Sequence, residues 1–257
     1  MEHHHHCLNC NNPLKDAFCS HCGQTASTHR YSIKHFIEHD IIHGIWHVDK
    51  GIFYTIKQLF TRPGHSIREF VEGKRSKHFN FVSLILICLA VSIFLDPYIK
   101  VQMKDLIWGT KDSQKMISDF DEFSTKYPRL IIAIYIPINA LFSYLWFRKA
   151  KYNYSEHLVL NCYKSIGDTV VGLVFKAVTI FYANITVLSF VYYTIITGFG
   201  VIIYPIWFFG QFFAHSGYSK KALIWRSVLA AFSFSILVGL VTFVVMFFQG
   251  YSQNIGK

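Results

Sequence analysis

The chain has 257 residues, 52% of them hydrophobic and 18% aromatic, with only 16% charged. Soluble domains average about 45–50% apolar and about 25% charged residues, so an ordinary soluble domain is excluded. Intrinsic disorder is excluded too, because it requires low hydrophobicity and few aromatics. A formal charge of +10 on the small polar remainder leaves three kinds of partner: nucleic acid, anionic lipid, or the cytoplasmic rim of a membrane. Residues 1–78 hold 12 of the 14 histidines and four of the six cysteines, and the long apolar runs lie in 79–257. The chain therefore divides into a polar head and a membrane body.

The run His3 to His6 reads as a disordered tail, native or appended, with an accessory metal site as the alternative. No charged n-region followed by an apolar stretch opens the chain, so no signal peptide is expected. Cys7-Leu8-Asn9-Cys10 and Cys19-Ser20-His21-Cys22-Gly23 then form two Cys-x-x-Cys knuckles. A two-residue gap lets both sulfurs of a knuckle reach one ion, and zinc takes four sulfur or nitrogen ligands tetrahedrally. Cys7, Cys10, Cys19 and Cys22 are thus expected to hold a structural zinc, in a minimal ribbon over residues 1–30. Four thiolates fill the shell, which leaves His21 outside it and no open position for catalysis. The competing possibility is a pair of disulfides, which a reducing cytoplasm disfavours.

Residues 31–78 read as amphipathic, interfacial helices. Ile33, Phe36, Ile37, Ile41 and Ile45 predict a helix over 32–47, and His35, His39, His43 and His47 lie on one drifting face of it. That stripe suits either a metal or pH sensor or a solvated edge. A second helix over 52–60 stops at Arg62-Pro63-Gly64, and a third, over 66–73, ends at Gly73. Lys74, Arg75 and Lys77 follow, abutting the first apolar run. Such a cluster marks the cytoplasmic side and attracts anionic lipid, and it could equally hold the phosphates of a nucleotide or oligonucleotide.

Apolar stretches at 79–99, 128–147, 157–180, 184–213 and 222–248 predict about five transmembrane helices, giving an all-α membrane protein with an N-terminal four-cysteine zinc ribbon. An alternative for 157–213 is one span and a re-entrant piece. Lysines and arginines fall before the first span (Lys74, Arg75, Lys77), after the second (Arg148, Lys149, Lys151) and at the start of the fifth (Lys220, Lys221, Arg226). The positive-inside rule makes these loops cytoplasmic, with the N-terminus inside and the chain in the bacterial inner membrane. Cys88 and Cys162 sit in apolar context and read as packing residues.

The third span carries a polar stripe: His157, Asn161, Lys164, Asp168, Gly172, Lys176 and Thr179 lie within an arc of roughly 120°. An ionisable residue facing lipid costs about 2.5–3.5 kcal/mol on insertion scales, so the stripe must face protein or water. Lys164 precedes Asp168 by one turn and can pair with it. Lys164, Asp168 and Lys176 are therefore expected either to line a pore, most simply at the axis of a homo-oligomer such as a tetramer, or to form a buried helix contact. Glu156 and His157 are adjacent and point about 100° apart, which argues for a structural or gating role over a catalytic dyad. With no phosphate loop, His-Glu-x-x-His or Gly-x-Ser-x-Gly, the chain is not expected to be an enzyme. A membrane enzyme or metal transporter using the His-rich head is the remaining chemical reading.

Cys7-Leu8-Asn9-Cys10, Phe18-Cys19-Ser20-His21-Cys22-Gly23-Gln24, Thr61-Arg62-Pro63-Gly64, Gly73-Lys74-Arg75 and Glu156-His157 occur in this order. In these motifs the chain resembles a family of small bacterial membrane proteins of unknown function with an N-terminal zinc ribbon. In architecture it looks like the membrane channel effectors that accompany nucleotidyltransferases in phage-defence systems. That second resemblance implies an oligomeric ion channel gated by a nucleotide-derived ligand, with a nucleotidyltransferase as partner. The contrasting expectation is a non-conducting scaffold or sensor that docks partners through the ribbon.

Overall fold

The structure is a computed structural model that describes residues 5–28, 30–33, 51–101, 103–106, 118–119, 122–123 and 126–255. The histidine stripe of residues 35–47 lies outside the described residues, as do His3 and His4. Two short helices, α1 (Gly51–Thr61) and α2 (Pro63–Val71), precede five long ones: α3 (Phe81–Leu95), α4 (Pro128–Trp146), α5 (Tyr154–Phe181), α6 (Ile185–Phe212) and α7 (Lys220–Ile255). No strand occurs among the described residues. Each of the five long elements contributes a stretch apolar and long enough to cross a membrane, as the hydropathy predicts. Residues 157–213 form two helical elements, separated at Tyr182–Asn184, and each is long and apolar enough to cross a membrane.

Local chemistry sets the helix starts. The Asn80 side chain accepts from the Val82 and Ser83 amides and caps α3. Asn153 and Glu156 form a reciprocal capping box on α5, at 2.9 and 2.7 Å. Asn184 accepts from the Val187 amide to start α6. Pro63 occupies the first turn of α2, where its missing N–H costs nothing.

The spans differ sharply in burial. Of the apolar stretch of α5, 61% is buried within the chain, against 22% or less for each of the others. Helix α5 is therefore the central post, with α3, α4 and α6 packed on it and α7 laid against α4 and α6. An apolar sequence cannot tell a lipid neighbour from a protein one, so this centrality emerges only from the fold. Tyr192–Ile203 of α6 is wound as a π-helix facing α5.

At the head end, aromatic rings fill the junction. Phe147 stacks on Phe213 at 3.8 Å, and Tyr163 lies edge-on to both Phe70 and Phe81. Helix α2 is locked to the end of α6: the Arg68 guanidinium donates to the Gln211 and Phe212 carbonyls, and the Gln211 side chain accepts from the Gly64 amide. A Cβ on Gly64 would lie 2.2 Å from the Phe208 carbonyl oxygen and 2.3 Å from the Phe212 nitrogen. Both neighbours are backbone and cannot swing away. Gly64→Ala should therefore lower the stability of the purified protein by about 1–3 kcal/mol, read as a drop in melting temperature in detergent. An unchanged melting temperature would mean that α2 and α6 do not meet so closely.

Candidate functional site: a cysteine cluster docked on the central membrane helix

The two knuckles fold alike. In the first, the Cys7 amide donates to the Asn12 carbonyl and the Asn11 amide to the Cys7 carbonyl; in the second, Cys19 and Gln24, and Gly23 and Cys19, repeat the pattern. The fifth residue of each turn is left-handed, Asn11 at φ 59° and Gly23 at φ 73°, residue types that tolerate that region. This shared geometry brings the Cys7, Cys10, Cys19 and Cys22 sulfurs within 4.8 Å of one another.

The Cys7 and Cys22 sulfurs are 3.6 Å apart and those of Cys10 and Cys19 3.5 Å. A disulfide would need about 2.05 Å, and all four thiols are free. Four sulfurs at about 2.3 Å from one tetrahedral ion would stand about 3.8 Å apart, so the cluster can hold a metal ion. At Cys10 the Asn12 amide pulls the pKa down, but burial and the neighbouring sulfurs prevail and push the thiol up. Backbone amides prepare two of the other sulfurs: the Cys22 and His21 N–H groups hold Cys19 below the usual thiol range. Burial works against the Cys22 thiolate, but the Gln24 amide and neighbouring donors prevail and lower it to about 6. Several thiolates this close repel one another unless a cation sits between them.

The cluster is docked onto the body through main-chain atoms. The Gln24 side chain donates to the Gly73 carbonyl (2.8 Å) and accepts from the Arg75 amide (3.0 Å). Gly73 sits at φ 116°, and a Cβ there would strike Leu8 of the first knuckle at 2.8 Å. Arg30 grips Glu156 with two bonds, Nε to Oε1 at 2.5 Å and Nη2 to Oε2 at 2.8 Å, and also donates to the Lys151 carbonyl. Asn153 returns a bond to the Tyr31 carbonyl. The head is thereby fixed to the first turn of α5.

The three residues of the basic cluster have different fates. The Arg75 guanidinium lies 4.0 Å above the Tyr31 ring, and its Nε donates to the Phe70 carbonyl, so it serves in packing. Lys74 and Lys77 are exposed and, with Cys10, His21, Tyr54 and Glu69, the last paired with Arg62, border a cavity of ≈ 480 Å³ between the knuckles and the 74–78 loop.

The polar stripe of α5 is engaged along its length. The Ser143 hydroxyl of α4 joins His157 Nδ1 (2.9 Å) and the Asn161 amide (2.9 Å). Glu156, meanwhile, faces Arg30, so the adjacent acid and histidine serve different partners. Lys164 pairs with Asp168 at 2.7 Å. Lys176 reaches Asp96 and Ser92 on the far end of α3. Two cavities flank these pairs. One of ≈ 290 Å³ is bordered by Lys164, Asp168, Tyr135 and the π-helical Ile196 and Gly200; the other, of ≈ 640 Å³, by Asp96, Lys176, Gly172 and Thr179, with Ile196 common to both. Asp168 Oδ1 and the Tyr204 hydroxyl are buried without a protein partner.

Arg30, Asp96 and Tyr204 escape a reading from motifs, because their partners lie far along the chain: 126 residues separate Arg30 from Glu156 and 80 separate Asp96 from Lys176. The Asn-x-x-Glu capping signature at 153–156 is the one local sign that this turn is a junction.

Fold and site together define an all-helical membrane protein with a four-cysteine cluster, able to hold a metal, at one end of its bundle. Residues 49–93, spanning α1, α2 and most of α3, match a family described as "Protein of unknown function (DUF3667)". No curated protein and no solved structure matches the chain.

His78 closes this junction. Its Nε2 lies 2.8 Å from the Ser66 hydroxyl and its ring packs edge-on to Tyr54 and Phe70. Burial lowers its pKa from 6.5 to about 4, with Glu69 opposing the shift. The unfolded chain thus takes the proton first: the stabilisation is complete above pH ~6.5 and lost as pH falls towards ~4. Thermal melts of the wild type should fall through this window by up to about 3 kcal/mol, and His78→Asn should flatten the fall. Equal slopes for both proteins would show that His78 is not the titrating group.

Proposed function

We propose that this protein is a ligand-gated ion channel of the bacterial inner membrane, with its N-terminal head in the cytoplasm. One observation carries the reading. The helix with cavities along its Lys164–Asp168 and Lys176–Asp96 pairs is the same helix whose first turn Arg30 ties to the cysteine head. A displacement of the head therefore acts directly on the polar stripe. Charged groups held beside water-sized spaces at membrane depth are the ordinary lining of an ion path. Because α5 is central in its own chain, the path runs along α5 and the π segment of α6, which border both cavities, and self-association into a homo-oligomer would widen or complete it at the half-exposed C-terminal half of α5.

The four thiolates hold zinc, which staples the head. The gating ligand is a nucleotide-derived anion, with phosphates on Lys74 and Lys77 and a base against Tyr54 in the cavity beside the knuckles. A partner nucleotidyltransferase would supply it, in the phage-defence setting that the channel-effector resemblance implies. The orientation rests on charge: Lys74 and Lys77, Arg148 to Lys151, and Lys220 to Arg226 all lie at the head end of the bundle.

Elemental analysis of the purified full chain should find one zinc per polypeptide, and Cys10→Ser combined with Cys22→Ser should lose it and expose the head to protease. Retained metal in that variant would remove the four-cysteine site. Planar-bilayer recordings with a panel of cyclic and linear oligonucleotides test conduction. Current should appear with at least one of them, fall several-fold in Asp168→Asn, and lose its ligand dependence in Arg30→Ala. Absence of current with every ligand, from folded and oligomeric protein, would overturn the channel. It would favour a non-conducting scaffold or sensor, a reading that the pairing of Lys164 with Asp168 and Lys176 with Asp96 already suits.

A further inference from the structure

A groove of ≈ 320 Å³ runs between α2, the end of α6 and the start of α7, where the apolar stretches of the last two helices meet the head end. Its wall is apolar, made by Ile206, Trp207, Leu223 and the exposed Ile224. Gly210 lies in the same wall, and a Cβ there would meet nothing within 4 Å, so the surface beside it is open. Its outer rim is polar, made by His65, Gln211 and Lys220.

The rim carries positive charge without a counter-ion in the groove. Lys220 is exposed at the first turn of α7. No carboxylate lines the groove among the described residues, and the nearby Glu69 is occupied by Arg62 at 2.7 Å. Arg68 can only donate, so its bond to His65 Nδ1 (3.2 Å) makes that nitrogen the acceptor and places the ring proton on Nε2. Burial first, and then the Arg68, Arg62 and His215 charges, hold His65 below the usual histidine range, with Glu69 opposing them. The Gly64 contact and the two carbonyl bonds of Arg68 keep α2 fixed on α6, so the rim is preformed.

We propose that this groove holds one anionic phospholipid of the head-side leaflet, its phosphate on Lys220 and the His65 Nε2–H and an acyl chain along Ile206, Trp207 and Leu223. A two-part groove, cationic where water begins and apolar where the bilayer begins, matches the two ends of such a molecule. Trp207 in the wall has the amphipathic ring that favours this depth. A soluble anion would use only the rim, and a zwitterionic lipid would bring its own cation to a rim already positive. The inference is independent of whether the protein conducts ions.

The test uses the full chain in detergent, with phosphatidylglycerol or phosphatidylcholine added, read by native mass spectrometry and by melting temperature. Phosphatidylglycerol should be retained in preference to phosphatidylcholine and should raise the melting temperature further. Lys220→Ser should reduce its retention about fivefold, the effect expected of one lysine near an anionic surface. Lys221→Ser makes the same charge change on the same helix but does not line the groove, and it should retain the lipid as the wild type does. Equal retention of the two lipids, equal losses in the two lysine variants, or a full melting shift from inorganic phosphate alone would each overturn the proposal.

Discussion

One buried carboxylate organises the molecule. Glu156 is 2% exposed at the first turn of α5, and it accepts from the Asn153 amide of its own helix and twice from Arg30 of the head. A lone carboxylate in that position would carry a heavy desolvation cost. With these donors it starts the central helix and anchors the cysteine cluster to it. Arg30 itself remains 61% exposed along its side chain, so its value lies in two-pronged geometry more than in Coulomb energy. Removing it would leave Glu156 with its capping bond alone, and the head without its firmest grip on the spans.

The same economy appears along α5. Just as Glu156 has Arg30, each ionisable residue of the stripe has a protein partner within reach: His157 with Ser143, Lys164 with Asp168, Lys176 with Asp96. Pairing lets charge exist at membrane depth. Two partners lie on other helices, Ser143 on α4 and Asp96 at the end of α3, so the stripe also fixes how those spans sit against the post. Where pairing is incomplete, at Asp168 Oδ1 and the Tyr204 hydroxyl, a cavity lies alongside Asp168. The glycines follow the same logic of close approach. A Cβ on Gly167 would fall 2.1 Å from the Tyr204 hydroxyl oxygen, so this glycine makes room for a side chain of α6, where Gly64 makes room for its backbone.

The sequence discloses those features whose cause is local. Five apolar runs become five spans because length and hydropathy are enough to select a bilayer. Four cysteines become a cluster because a two-residue gap fixes each knuckle by itself. The stripe is visible because helical periodicity places its members on one side. What the stripe touches is not visible, since Asp96 and Arg30 reach it from distant segments. Arg75 is the clearest divergence: its neighbours in sequence advertise a phosphate-binding cluster, while its neighbours in space, Tyr31 and Phe70, draw it into packing. Lys74 and Lys77, on either side of it, stay at the surface. That α5 is the post and not merely one span of five is also absent from its composition, because lipid and protein look alike to an apolar side chain.

The docking of the head has an evolutionary side. Most of the bonds that hold it end on main-chain atoms of the partner segment: the Gly73 carbonyl, the Arg75 amide, the Lys151 carbonyl, the Tyr31 carbonyl. Such a joint recognises the path of a backbone and is indifferent to what that backbone carries. Side chains at 74 and 151 can drift, and surface charge can be retuned to a new ligand or lipid, without loosening the joint. A single inserted or deleted residue in either loop would break it at once. Substitution should therefore be the permitted mode of change in these loops, and length the conserved quantity.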